Sequence, residues 1–367
     1  MKITKMLTNA CLIVCLAGMA GPADGVGKKK PLVQMAILLD TSGSMEGLIE
    51  QAKSQLWKVV NELITAKKGG MRPEIQVALY EYGKQSIPAS EGYLRMIVPL
   101  TTDLDKVSEE LFALRTNGGS EHCGQVIQAA VEGLQWSKSP GDLKVVFIAG
   151  NEPFTQGPVD YRKACKQAIS RGIMVNTIHC GSESSGIGGK WKDGALLADG
   201  SFMNIDPNRK VPHIAAPQDK QIAELGRELN KTYIPLGTRG RAAQERQKKQ
   251  DANAASVAAG SMAQRAVFKS SANYANAGWD LVDAEKNGKV ELEKLKEEEL
   301  PANMRKMSPE ERRAYVDAQR ARREKVQKKI QELNHQRKQY VAEKRKERSQ
   351  TGEDTLDQAM IKSVRNQ

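Results

Sequence analysis

Residues 36–45 read Ala-Ile-Leu-Leu-Asp-Thr-Ser-Gly-Ser-Met, so an apolar run passes directly into a loop of oxygen-bearing side chains. The residues just before this stretch are also apolar apart from Gln34, which is typical of a strand buried on both faces. Asp40, Ser42 and Ser44 then follow at alternate positions. Ligands bind to open α/β sheets outside the carboxyl ends of the strands. The stretch therefore predicts a buried strand that ends in a binding loop.

Short apolar runs and helical periods alternate along the next two hundred or so residues. This alternation implies a parallel sheet with helices on both faces. The predicted fold class is α/β, with a doubly wound, mostly parallel sheet of the Rossmann type, followed by a helical, charged C-terminal region. We predict strands at 32–39, 75–82, 93–98, 144–149, 173–179 and 233–236.

The loop chemistry suits a hard divalent cation. Two hydroxyls on alternate residues of a tight loop can point at one ion, and the Asp40 carboxylate supplies charge directly or through water. Mg²⁺ accepts such oxygen ligands while it keeps several waters. A site built from two or three protein oxygens leaves a position for a partner's carboxylate. The alternative is that the aspartate and serines only shape a turn and cap the next helix.

The loop and the α/β pattern resemble the von Willebrand factor type A domain over roughly residues 32–237. That family has a doubly wound sheet with a metal-ion-dependent adhesion site at its upper edge. The resemblance implies a Mg²⁺ or Ca²⁺ ion and a protein partner. Its first metal loop is D-x-S-x-S, which Asp40, Ser42 and Ser44 match.

The other two metal loops match less closely, so the site is incomplete. The second loop usually carries a Thr after a Gly-Gly pair, and this role falls to Ser120 or to Glu121, depending on whether the glycines or the next helix set the count. In the third loop Gly150 stands where the family has Asp, and Asn151 or Glu152 offers an oxygen only out of register. The predicted metal residues are Asp40, Ser42, Ser44, Ser120 and Glu121.

The N-terminus has the layout of a secretory signal peptide, predicted over residues 1–23. Lys2 and Lys5 precede an apolar run that ends in small residues. We expect a cleaved, periplasmic or secreted protein, and a retained anchor or lipid attachment is the alternative. The run from Gly150 to Phe154 is similar to a bacterial exported subgroup of the family.

Export would leave three cysteines in an oxidising compartment, which favours one disulfide and one free thiol. Cys165 falls early in a predicted helix, and Cys180 ends the next parallel strand, so both are expected near one edge of the sheet. We predict a Cys165–Cys180 disulfide with Cys123 free.

The character of the chain changes near residue 237. Residues 1–237 hold 27 lysines and arginines against 24 acidic residues, whereas 238–367 hold 29 against 20. Residues 238–270 contain few large apolar residues, and we predict a linker, either disordered or a frayed helix, that is open to proteolysis between 239 and 266.

A helical, coiled-coil-like region is predicted over 271–367. Its main element is one long, largely exposed helix at 309–348, with an apolar seam that Arg337 interrupts. The helix is expected to fold back on a small apolar cluster. The cluster residues are Tyr274, Trp279 and Leu281.

These features favour an exported, non-enzymatic binding protein with a partner in the cell envelope. The alternative is an envelope structural protein whose basic tail contacts an anionic surface while the type A domain is a metal-free scaffold. The tail lacks interleaved aromatic residues, so no nucleic-acid partner is predicted. A calcium-loop-like run begins at Asp283, but Lys294 replaces the bidentate Glu, so we interpret it as a polar turn. No catalytic pair is predicted among the histidines, which are His122, His179, His213 and His335.

Overall fold

The computed structural model describes residues 30–65, 71–206, 208, 214–348, 360, 361 and 363. The predicted signal peptide and His213 lie outside these residues. Among the described helices, none is both long and apolar enough to cross a membrane.

Six strands form one sheet in the order β3-β2-β1-β4-β5-β6. Every neighbouring pair is parallel except β2 and β3, which are antiparallel. The predicted α/β fold is therefore confirmed. The strand predicted at 233–236 is wrong, because that segment contributes only an isolated bridge from Pro235 to Asp280. The strands are β1 Leu32–Asp40, β2 Glu74–Tyr82, β3 Leu94–Thr101, β4 Leu143–Gly150, β5 Met174–Cys180 and β6 Phe202–Ile205.

Helices cover both faces of the sheet. On one face, α1 and α2 form an apolar cluster with the odd-numbered residues of β1, and α7 and α9 join that cluster. On the other face, α3, α4 and α6 form a cluster with the even-numbered residues. The helices that flank the sheet are α1 Glu46–Thr65, α2 Leu104–Ala113, α3 Cys123–Gly133, α4 Tyr161–Ser170, α5 Glu183–Gly188, α6 Trp191–Leu196 and α7 Asp219–Asn230. The C-terminal helices are α8 Gly237–Val257, α9 Ala259–Lys269, α10 Leu281–Lys286 and α11 Pro309–Arg348.

The predicted linker at 238–270 is wrong, because this segment forms α8 and α9, which pack on the sheet domain. The Trp57 and Phe268 rings stack with centroids 5.1 Å apart. Polar side chains of the segment are buried with hydrogen-bond partners from the sheet domain. Gln250 of α8, for example, accepts a hydrogen bond at Oε1 from Ser108 Oγ of α2 at 2.9 Å. A low content of large apolar residues therefore does not prevent burial here, and the structure gives no support for proteolysis between 239 and 266.

A buried cluster of charges joins these helices to the sheet domain. Arg265 is fully buried and bonds Asp105 at 2.5 Å and Asp251 at 2.9 Å. Lys269 is also fully buried and pairs with Asp251. The Arg265 guanidinium lies 4.5 Å from the ring centroid of Trp57. Two cations thus face two carboxylates in the interior, where an unpaired charge would be strongly destabilising.

The helix predicted at 309–348 is confirmed as a single element, α11. It begins with reciprocal bonds, since Glu311 N donates to Ser308 Oγ at 3.2 Å and Ser308 N donates to Glu311 Oε2 at 2.8 Å. Its buried residues follow one stripe, which includes Arg323 and Arg337. Arg337 does not interrupt the seam as predicted, because it is buried in an ion pair with Asp219 at 2.5 Å.

The predicted apolar cluster beneath α11 is divided between two sites. Leu281 packs in one cluster with Val316 of α11. Tyr274 instead packs edge-to-face on Phe268, with centroids 5.2 Å apart, and Trp279 packs on Tyr233. The C-terminal helices thus fold back onto the sheet domain as well as onto each other.

The predicted Cys165–Cys180 disulfide is wrong in this structure, since all three described cysteines are free and buried. Cys180 packs on the face that carries α1, whereas Cys165 and Cys123 pack on the opposite face. The sheet therefore separates the two thiols. The prediction considers only the edge of the sheet near which each cysteine lies, and it does not consider on which face of the sheet each side chain packs.

Candidate metal-binding site at the carboxyl edge of the sheet

Asp40 ends β1 with a fully buried side chain. Its Oδ1 accepts a hydrogen bond from Ser42 N at 2.7 Å. Its Oδ2 is buried and accepts no hydrogen bond from any residue that the structure describes. The pKa of Asp40 is raised to about 7, mainly by burial and in smaller part by the nearby Glu121 and Glu152 carboxylates, against the opposing hydrogen bonds from Ser42. The carboxylate is thus costly to ionise unless a cation approaches it.

Two hydroxyls and an amide stand beside this carboxylate. Ser42 Oγ and Ser44 Oγ lie 3.3 Å apart, so the alternate spacing does bring them together. Asn151 Nδ2 donates to Ser44 Oγ at 3.2 Å. The Oδ1 atom of Asn151 is buried and has no hydrogen-bond partner in the described part of the chain. Asn151 therefore joins the first and third loops, although it is out of register with the family pattern.

In the second loop, the Glu121 side chain lies beside Asp40. The Glu121 side chain is buried, whereas Ser120 is half-exposed. Burial raises the pKa of Glu121, Glu152 raises it further, and a hydrogen bond with Ser42 opposes the shift. A Cβ built on Gly83 would lie 2.7 Å from Asp40 Oδ1 and 2.9 Å from Glu121 Cγ. The two carboxylates thus flank the space that Gly83 leaves open.

Gly150 occupies the aspartate position of the third loop because no side chain fits there. A Cβ at this position would lie 2.5 Å from Tyr82 Oη and 3.0 Å from Asp40 Oδ2. Tyr82 Oη donates to Ala149 O at 3.0 Å, so the phenol fills the space. Tyr82 and Gly83 were not predicted as site residues. The parallel register of β1 and β2 pairs Asp40 with Tyr82, so a prediction of that register would have located both residues beside Asp40.

The donor set fits a hard cation better than a soft one. Within the described residues, no three histidine, cysteine or acidic side chains form a metal centre by themselves. An ion would therefore depend on the hydroxyl oxygens of Ser42 and Ser44 in addition to carboxylate oxygen. Such an all-oxygen set is typical of Mg²⁺ and Ca²⁺ sites. The unpartnered Asp40 Oδ2 and Asn151 Oδ1 are the atoms that such an ion would satisfy.

A groove of about 1,420 Å³ begins at the metal loop. It runs from Gly43 and Ser44 between α1, the end of α2 and the last turns of α8. Its polar lining includes Glu46, Thr116 and Asn253. A volume above the usual range for drug-sized ligands suits a macromolecular segment. The helices beyond the sheet domain therefore form part of the surface next to the site.

One histidine does have a serine partner, which the sequence did not indicate. His179 Nε2 and Ser185 Oγ lie 2.9 Å apart, and Ser185 Oγ donates to Ser182 O at 2.9 Å. The second ring nitrogen, Nδ1, is buried without a partner among the described residues. Burial lowers the pKa of His179. The serine proton is directed to a carbonyl, and within the described part of the chain no acidic side chain bonds the ring, so this geometry is that of a contact at the start of α5 and not that of a triad.

Comparison with known proteins supports the family assignment of the sheet domain. The family model described as the von Willebrand factor type A domain matches residues 34–186. A search of curated proteins gives no match. Three solved structures are similar at low identity, and each covers about half of this chain.

The first is the SpRpn10 VWA domain, with 17% identity over 49% of this chain and 90% of that one, at a TM-score of 0.38. The second is the conserved hypothetical protein BatB from Bacteroides thetaiotaomicron, with 17% identity over 47% and 90%, at a TM-score of 0.36. The third is proximal thread matrix protein 1 from the mussel byssus with a zinc-occupied MIDAS motif, with 12% identity over 49% and 43%, at a TM-score of 0.38. On the family match and the sheet topology, residues 34–186 of this chain form a von Willebrand factor type A domain.

Proposed function

We propose that this chain is an exported, non-enzymatic binding protein that takes an acidic side chain of a partner at a divalent cation held by the Asp40 loop. The observation that carries the proposal is the buried Asp40 Oδ2 without a partner in the described residues. A buried carboxylate oxygen needs a hydrogen bond or a cation to offset its lost hydration. A Mg²⁺ or Ca²⁺ ion at the sheet edge would supply that charge.

Four side chains would hold the ion. Asp40 and Glu121 would supply negative charge, and Ser42 and Ser44 would supply hydroxyl oxygens. Asn151 Oδ1 would complete the set directly or through water. Because these side chains would not fill the coordination sphere of the ion, a position toward solvent would stay open, and a partner's carboxylate would bind there. The groove next to Ser44 would hold the flanking residues of that partner.

The same proposal includes the organisation of the chain. A signal peptide at 1–23 would direct export to the periplasm or the medium, and the partner would lie in the cell envelope. The type A domain would extend over 32–237, with 238–348 as its helical cover. A basic tail that contacts an anionic surface is less well supported, because many α11 cations are already paired. Examples are the bonds of Arg313 to Glu293 at 2.6 Å and of Arg320 to Asp317 at 2.9 Å.

We expect Mg²⁺ or Ca²⁺ to stabilise the protein and Asp40→Asn to remove that effect. An ion that binds only the folded state adds about 2.7 kcal/mol at a hundred times its Kd. In chelator the variant should unfold at or above the parent's Tm, because a buried amide costs less than a buried carboxylate. Thermal unfolding of the parent and of Asp40→Asn, each with Mg²⁺ and with chelator, measures the stabilisation by the ion and the difference in Tm without it.

The matched control is Glu46→Gln, which changes an exposed carboxylate at the start of α1. It should keep the full response to Mg²⁺. Ser120→Ala should also keep the stabilisation by Mg²⁺. Glu121→Gln should weaken that stabilisation, because the Glu121 carboxylate lies beside Asp40. An equal response in the parent and in Asp40→Asn would refute the site. Chelator-sensitive capture of an envelope partner by the parent, but not by Asp40→Ala with Ser42→Ala, would then test the binding role.

A further inference from the structure

An apolar cavity lies between the sheet and helices α1 and α2, directly behind the metal loop. Its sheet wall includes Leu39 and Ala149, which immediately precede Asp40 and Gly150. Gln55 is the one polar residue among those that line it, and the rest are aliphatic, alanine or aromatic. The cavity is therefore suited to an apolar side chain rather than to water.

The side chain that enters this cavity comes from the far C-terminus. Met360 lines the cavity and is 5% exposed, although α11 ends twelve residues earlier at Arg348. Ser363 is also buried, and its Oγ donates to Asn176 Oδ1 at 2.7 Å. Asn176 lies on β5 two residues before Ile178, another residue that lines the cavity. One apolar and one polar anchor thus hold the C-terminal segment, defined here as Met360, Ile361 and Ser363.

The chemistry of the two anchors corresponds to that of the sheet residues which they contact. Residues three apart on a helical turn project to the same side, so Met360 and Ser363 reach the sheet together. The cavity supplies an apolar surface for the first, and the fully buried Asn176 supplies an acceptor for the second. Asn176 Oδ1 also accepts Ser201 N at 2.8 Å, so the amide is held in place for this bond.

The described anchors of this segment differ in kind from those of the other C-terminal elements. Helices α9 and α11 are each fixed by buried ion pairs, whereas the anchors described for this segment are the uncharged thioether of Met360 and the hydroxyl of Ser363. About 40 Å³ of space remains in the cavity, so Met360 does not fill it. Methionine adapts to irregular gaps, and elements with few buried contacts open most readily.

From this geometry we infer that the cavity is a peptide-docking site and that the chain's own C-terminal segment is its occupant. The segment behaves as a releasable strap. Its release opens an apolar cavity behind the metal loop and leaves Asn176 without its hydroxyl partner. The inference does not depend on a metal ion, because the cavity and the anchors are defined by carbon, hydroxyl and amide groups alone.

Two deletions of the full chain test the strap. Removal of residues 359–367 takes away both anchors, and removal of 364–367 keeps them as the matched control. The longer deletion should raise the unfolding equilibrium constant at least tenfold over the control, as expected for an emptied core site. It should also increase hydrogen exchange in residues 36–45. Equal stability and exchange in the two proteins would overturn the inference.

A synthetic peptide of residues 356–367 tests the docking site in trans. It should bind the 359–367 deletion with a one-to-one stoichiometry and restore the exchange pattern of 36–45. It should bind the intact chain at least tenfold more weakly, because the site is already occupied in cis. The same peptide with Met360→Asp should fail to bind. Failure of the parent peptide, or equal binding of the Asp peptide, would overturn the inference.

A second variant covers the case in which the deletion does not fold. Full-length Met360→Ala leaves the rest of the segment in place and should loosen it. Labelled parent peptide should then bind this variant at least tenfold more tightly than the intact chain. Equal binding to the two proteins would contradict the docking site.

Discussion

Replacement of Arg265 by methionine is expected to lower the free energy of unfolding by about 3–5 kcal/mol, the range for breaking a buried ion pair. Methionine keeps much of the side-chain volume but removes the charge. Asp105 and Asp251 would then share the interior with only Lys269, and the Asp105 carboxylate would lose its cation. Urea unfolding measured by far-UV circular dichroism gives the free energy directly.

The matched control is Arg246→Met, which removes an arginine of the neighbouring α8. Arg246 pairs with Asp103 at 3.0 Å and with Glu109 at 3.3 Å, but its side chain is 29% exposed. Exposed pairs contribute about 1 kcal/mol or less, so this variant should be close to the parent. A loss below about 1 kcal/mol for Arg265→Met, or equal losses for the two variants, would show that the buried cluster does not hold α9 to the sheet domain.

The second large effect is expected for Arg323→Met in α11, at about 3 kcal/mol. Arg323 is almost fully buried and bonds Asp280 at 2.7 Å and Asp283 at 2.8 Å, and it donates to the Thr232 carbonyl. Burial raises the pKa of Asp280, and Arg323 opposes that shift. Without the arginine the buried carboxylate is uncompensated, so α11 should detach more easily from the turn after α7.

Hydrogen exchange along 309–348 and urea unfolding together measure this detachment. The control is Arg313→Met near the start of the same helix, because the Arg313 side chain is 49% exposed and pairs with Glu285 of α10 and with Glu293. It should change the unfolding free energy by less than about 1 kcal/mol. Unchanged exchange in Arg323→Met would mean that the Arg323 ion pairs do not hold α11 on the domain.

The sheet domain could be predicted from sequence because its signals are local. A strand buried on both faces is a continuous apolar run, so β1 and β4 stand out from their neighbours. The loop after β1 follows from residue spacing alone, and Ser42 and Ser44 do lie together. The short β6 was missed because Phe202–Ile205 offers only four residues, too few to show a period.

The C-terminal helices could not be predicted as a cover for the domain. Residues 238–270 were interpreted as disordered because they contain few large apolar side chains. Burial there depends on long-range polar pairing, such as Asn61 Nδ2 with the Gln264 carbonyl at 2.8 Å and Arg265 with Asp105. Composition does not reveal such partners, since these two come from segments 203 and 160 residues away in the chain.

The remaining site residues depended on three-dimensional register. The choice between Ser120 and Glu121 rests on which side chain faces Gly83, and no count from the glycines decides that. Asn151 bonds Ser44, while Tyr82 fills the space beside Gly150. Neighbouring strands set these positions, so residue spacing predicts the candidate residues but not how they are arranged.

Anomalous scattering from crystals soaked in Mn²⁺ tests the metal loop without any need to know the partner. Mn²⁺ is a hard cation that takes oxygen ligands like those of Mg²⁺. We predict one strong peak roughly 2.0–2.6 Å from Asp40 and serine oxygens at the end of β1, and no peak in crystals of Asp40→Asn. An ordered loop without a peak in the parent, or a peak that persists in Asp40→Asn, would contradict the proposed metal-dependent binding site.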